Sequence, residues 1–218
     1  MAAATLLISS KNYSPWSLRG HLLARLARLS FEEKVVSPDD PAMKAELLLQ
    51  ASSNRVPCLE HEGVLILDVL AIAEYLNETF PKAKMLPADK VARARCRAVS
   101  GEMHSGFSAL RSSLPMNLRL HRPGFRLWSA AQTDVNRIVE IWRDCLTTWG
   151  GPWLFGGHPT IADAMYAPVV TRFRSYDVAL DAPCEAYARH VMEWEPLQEW
   201  YAAAMEEPEQ IEELDIEF

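Results

Sequence analysis

Ser14-Pro15-Trp16-Ser17, set just behind the apolar run Thr5-Leu6-Leu7-Ile8-Ser9 and answered further along by Val56-Pro57-Cys58, decides how this chain is read. The apolar run has the length and composition of a short strand. Serine is a favoured N-cap and proline suits the first helical position, so a helix opens at Pro15. Val56-Pro57 precedes another short strand, where an X-Pro bond can be cis. The two motifs imply a hydroxyl at the positive end of a helix, facing a kinked backbone able to receive a peptide-like thiol.

Working outward, residues 1–80 alternate element types. A strand at 5–9 leads to a helix at 15–29 with Leu18, Leu22, Leu26 and Leu29 on one face. A strand at Glu33-Lys34-Val35-Val36 follows, then a helix from Pro41 to Gln50. Strands Pro57–Glu60 and Val64–Leu67 flank His61-Glu62-Gly63, a hairpin turn. Asp68 caps a helix through Ile72, Tyr75 and Leu76. The order β-α-β-α-β-β-α gives a four-stranded mixed sheet, because the first βαβ unit crosses over right-handed.

Residues 81–90 carry two prolines and read as a linker. From 91 to 218 strand signals vanish and an all-helical domain is expected. Its first helix is expected to run from 90 to Leu114, stopped by Pro115. A second spans 130–149 up to Gly150-Gly151. A third opens at Thr160-Ile161-Ala162-Asp163, spaced as a capping box, and contains Pro168, which should kink it. Helices at 183–193 and 196–207 precede an acidic tail.

The bulk composition narrows the function. The chain has 218 residues, 49% of them hydrophobic and 23% charged, enough for a large core in one or two domains. A net charge of −7 without a dense basic cluster argues against a nucleic-acid partner. Four widely spaced cysteines and six histidines without paired spacing give neither a disulfide framework nor a metal site. No run reaches membrane-span length and the N-terminus lacks the features of a signal peptide, so a soluble, cytoplasmic protein is expected.

Taken with Arg19, Val56-Pro57, Asp68-Val69-Leu70-Ala71-Ile72-Ala73-Glu74-Tyr75-Leu76 and Thr160-Ile161-Ala162-Asp163, the Ser14 motif resembles the cytosolic glutathione transferases, on the serine-type, zeta-like bacterial side of that superfamily. The resemblance covers essentially the whole chain. It implies a thioredoxin-like α/β domain that binds glutathione, an all-α domain that supplies an electrophile pocket, and a homodimer. By resemblance Ser14 is the donor to the glutathione sulfur, with Tyr13 and Ser17 as competing donors. Ser14 and Ser17 stand where thioredoxin-fold redox proteins carry two cysteines, so disulfide exchange through this motif is excluded.

Ionising a thiol of pKa about 8.5 at neutral pH means lowering it by about two units, or about 2.7 kcal/mol. A charge-assisted bond from a hydroxyl supplies about 1.5–3 kcal/mol and a helix N-terminus about 0.3–1. Those two contributions suffice without a general base. Val56 backbone groups would pair with the cysteinyl part beside Pro57. Asp68 and the Val69 N–H would hold the γ-glutamyl end, although Val69 stands where the family places serine or threonine. That loss is worth about 1 kcal/mol of binding. Trp16, His104, Phe107, Arg111 and Asn117 are the electrophile-pocket candidates, with Ser108, Arg119 and His121 nearby. Met103, Phe107, Leu110 and Leu114 also read as a core stripe. The expected activity is transfer of glutathione to a small electrophile. The alternatives are glutathione-dependent isomerisation of a small unsaturated acid of the maleylacetoacetate or maleylpyruvate type, and a non-catalytic binding protein on the same scaffold.

Overall fold

Strand β1 (Ala4–Ile8) alternates buried and half-buried residues and becomes an inner strand of the sheet. In this computed structural model, which describes residues 4–36 and 56–208, β1 pairs in parallel with β2 (Glu32–Val35), joined to it through helix α1 (Pro15–Leu26). On its other side β1 pairs antiparallel with β3 (Cys58–His61), which pairs antiparallel with β4 (Val64–Leu67). The sheet order β2-β1-β3-β4 is the mixed sheet expected from the sequence. The β3–β4 hairpin closes through Glu62 at φ 51° and Gly63 at φ 78°. Two consecutive left-handed residues make a type I′ turn, whose twist suits a two-residue hairpin. The helix expected from Pro41 to Gln50 lies outside the described residues.

Helix α2 (Val69–Thr79) follows β4 directly, and a 3₁₀ turn at Pro81–Ala83 leads into the second half. The expected linker packs: Met85 is fully buried and its carbonyl accepts the Ile161 N–H at 2.9 Å. Helices α3 (Lys90–Ser105), α4 (Ser108–Ser113), α5 (Ser129–Trp149), α6 (Ile161–Ser175), α7 (Ala182–Met192) and α8 (Glu195–Glu206) complete the described chain.

The helix expected to run unbroken to Leu114 is two helices, and the correction has a clear cause. Gly106 ends α3 by donating its N–H to Glu102 O, and Phe107 then adopts φ 60°. The new ends find partners elsewhere. The Leu110 N–H donates to Asp134 Oδ2 at 2.9 Å, and the Arg111 guanidinium donates to the carbonyls of Met103 and His104. Free end groups of a helix must be satisfied, and here tertiary partners do it.

Helix α6 is the axis of the helical half and runs through Pro168 without ending there. Its capping box forms as the sequence indicated. Buried Asp163 accepts the Thr160 N–H at 2.7 Å, the Thr160 hydroxyl at 2.9 Å and the Leu154 N–H at 3.1 Å. The Tyr187 hydroxyl donates to it as well. Burial still pushes its carboxyl upward, against those bonds. Helix α1 packs on both α2 and α6, so one continuous core runs from Leu6 and Leu22 through Val99 to Trp142 and Met165.

Candidate functional site

Ser14 caps α1 from an extended conformation, and its Oγ accepts the Ser17 N–H at 3.2 Å. The residue is fully buried and makes further contacts besides this one. Ser17, the nearest rival, is spent on the scaffold. Its Oγ accepts the Ser9 N–H at 2.9 Å and lies 3.3 Å from the Ser9 hydroxyl, tying the start of α1 to the end of β1. Tyr13 is buried, and its N–H donates to Ser10 Oγ.

The Val56-Pro57 bond is cis, as its position before β3 allowed. Pro57 lies against α1 at the one residue that permits it. A methyl group on Gly20 would stand 2.6 Å from Pro57 Cβ, closer than carbon atoms approach. The glycine therefore brings the helix that begins at Ser14 onto the second motif.

Asp68 is an N-cap with φ 72°, a left-handed conformation that costs a non-glycine residue roughly 1–3 kcal/mol. Oδ1 accepts the Leu70 N–H at 2.8 Å, and Oδ2 lies 2.7 Å from His104 Nε2 on α3. The Asp68 side chain keeps 39% of its surface exposed. Val69, beside it, is buried. The Asp68–His104 bond crosses between the two halves and joins a residue expected at the γ-glutamyl end to one expected in the electrophile pocket.

Trp16 is the hinge of this cluster. Its ring meets the His104 ring at 5.3 Å edge-on, and the guanidinium carbons of Arg19 and Arg111 lie 4.6 and 5.0 Å from its centroid. Arg19 is buried, with Nε donating to Met165 O at 2.8 Å. Burial first, then the nearby Arg111 and Arg172, push its guanidinium well below the ordinary value. Burial lowers Arg172 to about 9 and also lowers Arg111, although Asp134 acts the other way on Arg111. Two guanidinium groups, those of Arg19 and Arg111, thus stand beside the Trp16 ring.

The remaining pocket candidates separate. Phe107 is 8% exposed and, with Met103, Leu110 and Leu114, belongs to the core. Asn117 is buried and its Oδ1 accepts from Asn12 Nδ2 at 3.0 Å. Arg119 donates to the end of α8. The contacts thus gather His104 and Arg111 on Trp16 in the first turn after Ser14, reach Asp68 through His104, set Pro57 against Gly20 further along the same helix, and leave Phe107 and Asn117 in supporting positions. Asn12 and Glu207, which organise the loop before Ser14, carried no sequence signal because their partners lie far along the chain.

Among the described residues, no cluster of three or more His, Cys, Asp or Glu side chains is arranged to hold a metal ion. All four cysteines are buried and unbridged. Burial pushes the thiols of Cys96, Cys145 and Cys184 up to about 12 and raises that of Cys58. No helix among the described residues is long and apolar enough to cross a membrane.

Comparison with known proteins agrees with this geometry. The glutathione S-transferase N-terminal domain profile matches residues 13–79, and the C-terminal domain profile matches residues 93–203. A probable maleylacetoacetate isomerase of Caenorhabditis elegans is 29% identical over 77% of this chain and 80% of its own length. The maleylacetoacetate isomerase of Pseudomonas aeruginosa is 30% identical over 59% of this chain and 61% of its own. Among solved structures, a glutathione transferase homologue from Burkholderia with bound glutathione superposes with a TM-score of 0.70 at 21% identity, covering 94% of this chain and 99% of that one. The maleylacetoacetate isomerase of Anaeromyxobacter dehalogenans, with bound dicarboxyethyl glutathione and citrate, gives 0.66 at 24% identity, covering 96% and 99%. With a two-part fold matched over both halves, this chain belongs to the glutathione S-transferase family.

Proposed function

We propose that the protein binds glutathione at the start of α1, ionises its thiol with the Ser14 hydroxyl and adds the thiolate to a small electrophile. One observation carries the reading: the helix that Ser14 caps packs on Pro57 through Gly20, and its Trp16 reaches the Asp68 cap through His104. The Val56 backbone pairs with the cysteinyl part as an added strand does. Asp68, held in its strained conformation, meets the ligand amine, while the Val69 N–H at the helix start meets the carboxylate. The electrophile lies toward Trp16, His104 and Arg111, between the two halves. Loss of the Ser14 donor should remove about 1.5–3 kcal/mol of thiolate stabilisation. Ser14→Ala is therefore expected to lower turnover at neutral pH by about 10- to 100-fold while glutathione still binds. Steady-state kinetics decides this, and unchanged turnover would remove Ser14 from its role.

A second reading has a specific support. Arg19 and Arg111 flank the Trp16 ring, and the charge of Arg111 adds to the burial that lowers Arg19, so an anion placed between them relieves repulsion. A small unsaturated acid meets that requirement, and the relatives named as isomerases act in the same sense. In that chemistry the thiolate adds to the double bond, rotation follows, and the thiolate leaves again. Glutathione would then be unconsumed at the end of turnover, whereas transfer consumes one per product.

The protein is proposed to act as a cytoplasmic homodimer. Edge strand β4 supports the dimer, since Val64, Leu65 and Leu67 expose 49%, 60% and 44% of their surface. An uncovered apolar edge strand is a standing invitation to associate.

A further inference from the structure

We propose that Glu207, just past the end of α8, is a positioning residue for Ser14, an inference that rests on the thiol-activating role given to that serine above. Its carboxylate is seated on the loop that delivers Ser14. Oε1 accepts the Lys11 N–H at 2.8 Å, and Oε2 accepts the Asn12 N–H at 2.9 Å and the Ser10 hydroxyl at 2.7 Å. Two successive backbone amides and a hydroxyl converging on one carboxylate make a fixed seat with charge-assisted bonds. Ser10 passes the constraint on. Its Oγ also accepts the Tyr13 N–H at 3.2 Å, and its carbonyl accepts the Ser14 N–H at 3.1 Å. Two hydrogen-bonded links therefore separate the Glu207 carboxylate from the backbone of Ser14.

The Glu207 end is itself clamped. The Arg119 guanidinium donates to Ala204 O, at 2.7 Å from Nη2, and to Glu207 O. The Asn12 side chain closes the ring, its Oδ1 accepting the Leu118 N–H at 2.9 Å and the Arg119 N–H at 3.2 Å. Trp200 Nε1 adds a bond from α8 to Lys11 O. The loop before Ser14 is thus held by α8 and by the 117–119 segment together.

Helix energetics separates this from ordinary capping. A carboxylate at the C-terminal end of a helix faces the negative end of the dipole, which is unfavourable for α8. Glu207 stands where its own helix disfavours it, and its three partners all lie in residues 10–12. A hydroxyl that stabilises a thiolate must be held to within about half an ångström to be effective. The seat supplies that constraint from the far end of the chain.

The test uses the full chain with glutathione as probe, following the ultraviolet absorbance of the bound thiolate against pH. Glu207→Gln keeps the size and one acceptor but turns an amide NH₂ toward donors. Its thiolate midpoint should rise by about half a unit to one unit. Turnover at neutral pH should fall about three- to tenfold with the glutathione KM within about twofold. Ser10→Ala leaves the two amide bonds to Glu207 and the Ser10 carbonyl bond to Ser14 intact but removes the hydroxyl that ties this turn to the carboxylate, and its midpoint should rise in the same direction. It carries the test if the first variant does not fold. Glu207→Asp retains the charge and should restore part of the shift. An unmoved midpoint in both variants, with only a lower melting temperature, would make Glu207 a plain tether and overturn the inference alone. A wild-type protein in which bound glutathione shows no thiolate overturns the functional reading, and this inference with it.

Discussion

Val69 is where a single side chain separates this protein from the serine or threonine that the family resemblance places at the start of α2. The position is buried, so Val69→Thr places a hydroxyl where water does not reach. Without ligand that group should cost the protein about 1 kcal/mol. With glutathione present the hydroxyl gains the γ-glutamyl carboxylate as acceptor, and the dissociation constant should fall about fivefold. Calorimetric titration paired with a melting curve reads both effects. Tighter binding without any loss of unliganded stability would contradict the burial argument, and unchanged binding would misplace the ligand. The same scale marks the reach of sequence reading. Ser14 as N-cap and Asp68 as N-cap followed from residue type and position alone. The Asp68–His104 bond did not, because nothing local to either residue encodes a partner 36 positions away.

Between elements, close approach does the positioning. Gly20 lets α1 lie against Pro57, and Gly20→Ala forces a contact of 2.6 Å that one of the two must yield to. Overpacking of this kind costs about 1–3 kcal/mol. The variant should lose that stability in denaturant melts and bind glutathione more weakly, although no ligand contact is removed. A second pairing ties three elements. Glu33 on β2 lies 2.6 Å from His21 Nδ1 on α1 and pairs with Lys11 in the loop before Ser14. Burial pushes the Glu33 carboxyl up, but hydrogen bonds and charge from His21 and Lys11 outweigh it and hold it below its ordinary 4.5. A carboxyl lowered on folding gives stability that is fully present above its unfolded value and is lost as pH falls through the folded value. Glu33→Gln should therefore cost most near neutrality, and the gap between variant and wild type should close on acidification below about 4.5. A gap that widened in acid would reverse the assigned sign. Apart from α4 and the 3₁₀ turn at Pro81–Ala83, element existence was legible from periodicity and caps in the described chain, the capping box at Thr160 and Asp163 most directly. The break after Ser105 was not, since residues 90–114 keep helical spacing and only Asp134 and Arg111, brought in by folding, make the interruption stable.

For the whole molecule, the family's two-part plan was readable from the switch in periodicity at the proline-bearing connection. That connection proved to be packed, because Met85 and Ile161 join it to the same core. With β4 at the sheet edge and Leu65 60% exposed, Leu65→Glu should shift the protein from dimer to monomer by sedimentation without changing its circular dichroism. A wild-type protein that sediments as a monomer would remove β4 from that role.

The four sheltered sulfurs have a consequence for life among reactive compounds. A protein proposed to bring electrophiles to a thiolate is itself exposed to them, yet all four of its own cysteines are buried and burial raises each of their thiols. On the proposed reading the bound tripeptide offers the reactive sulfur while those of the protein stay sheltered.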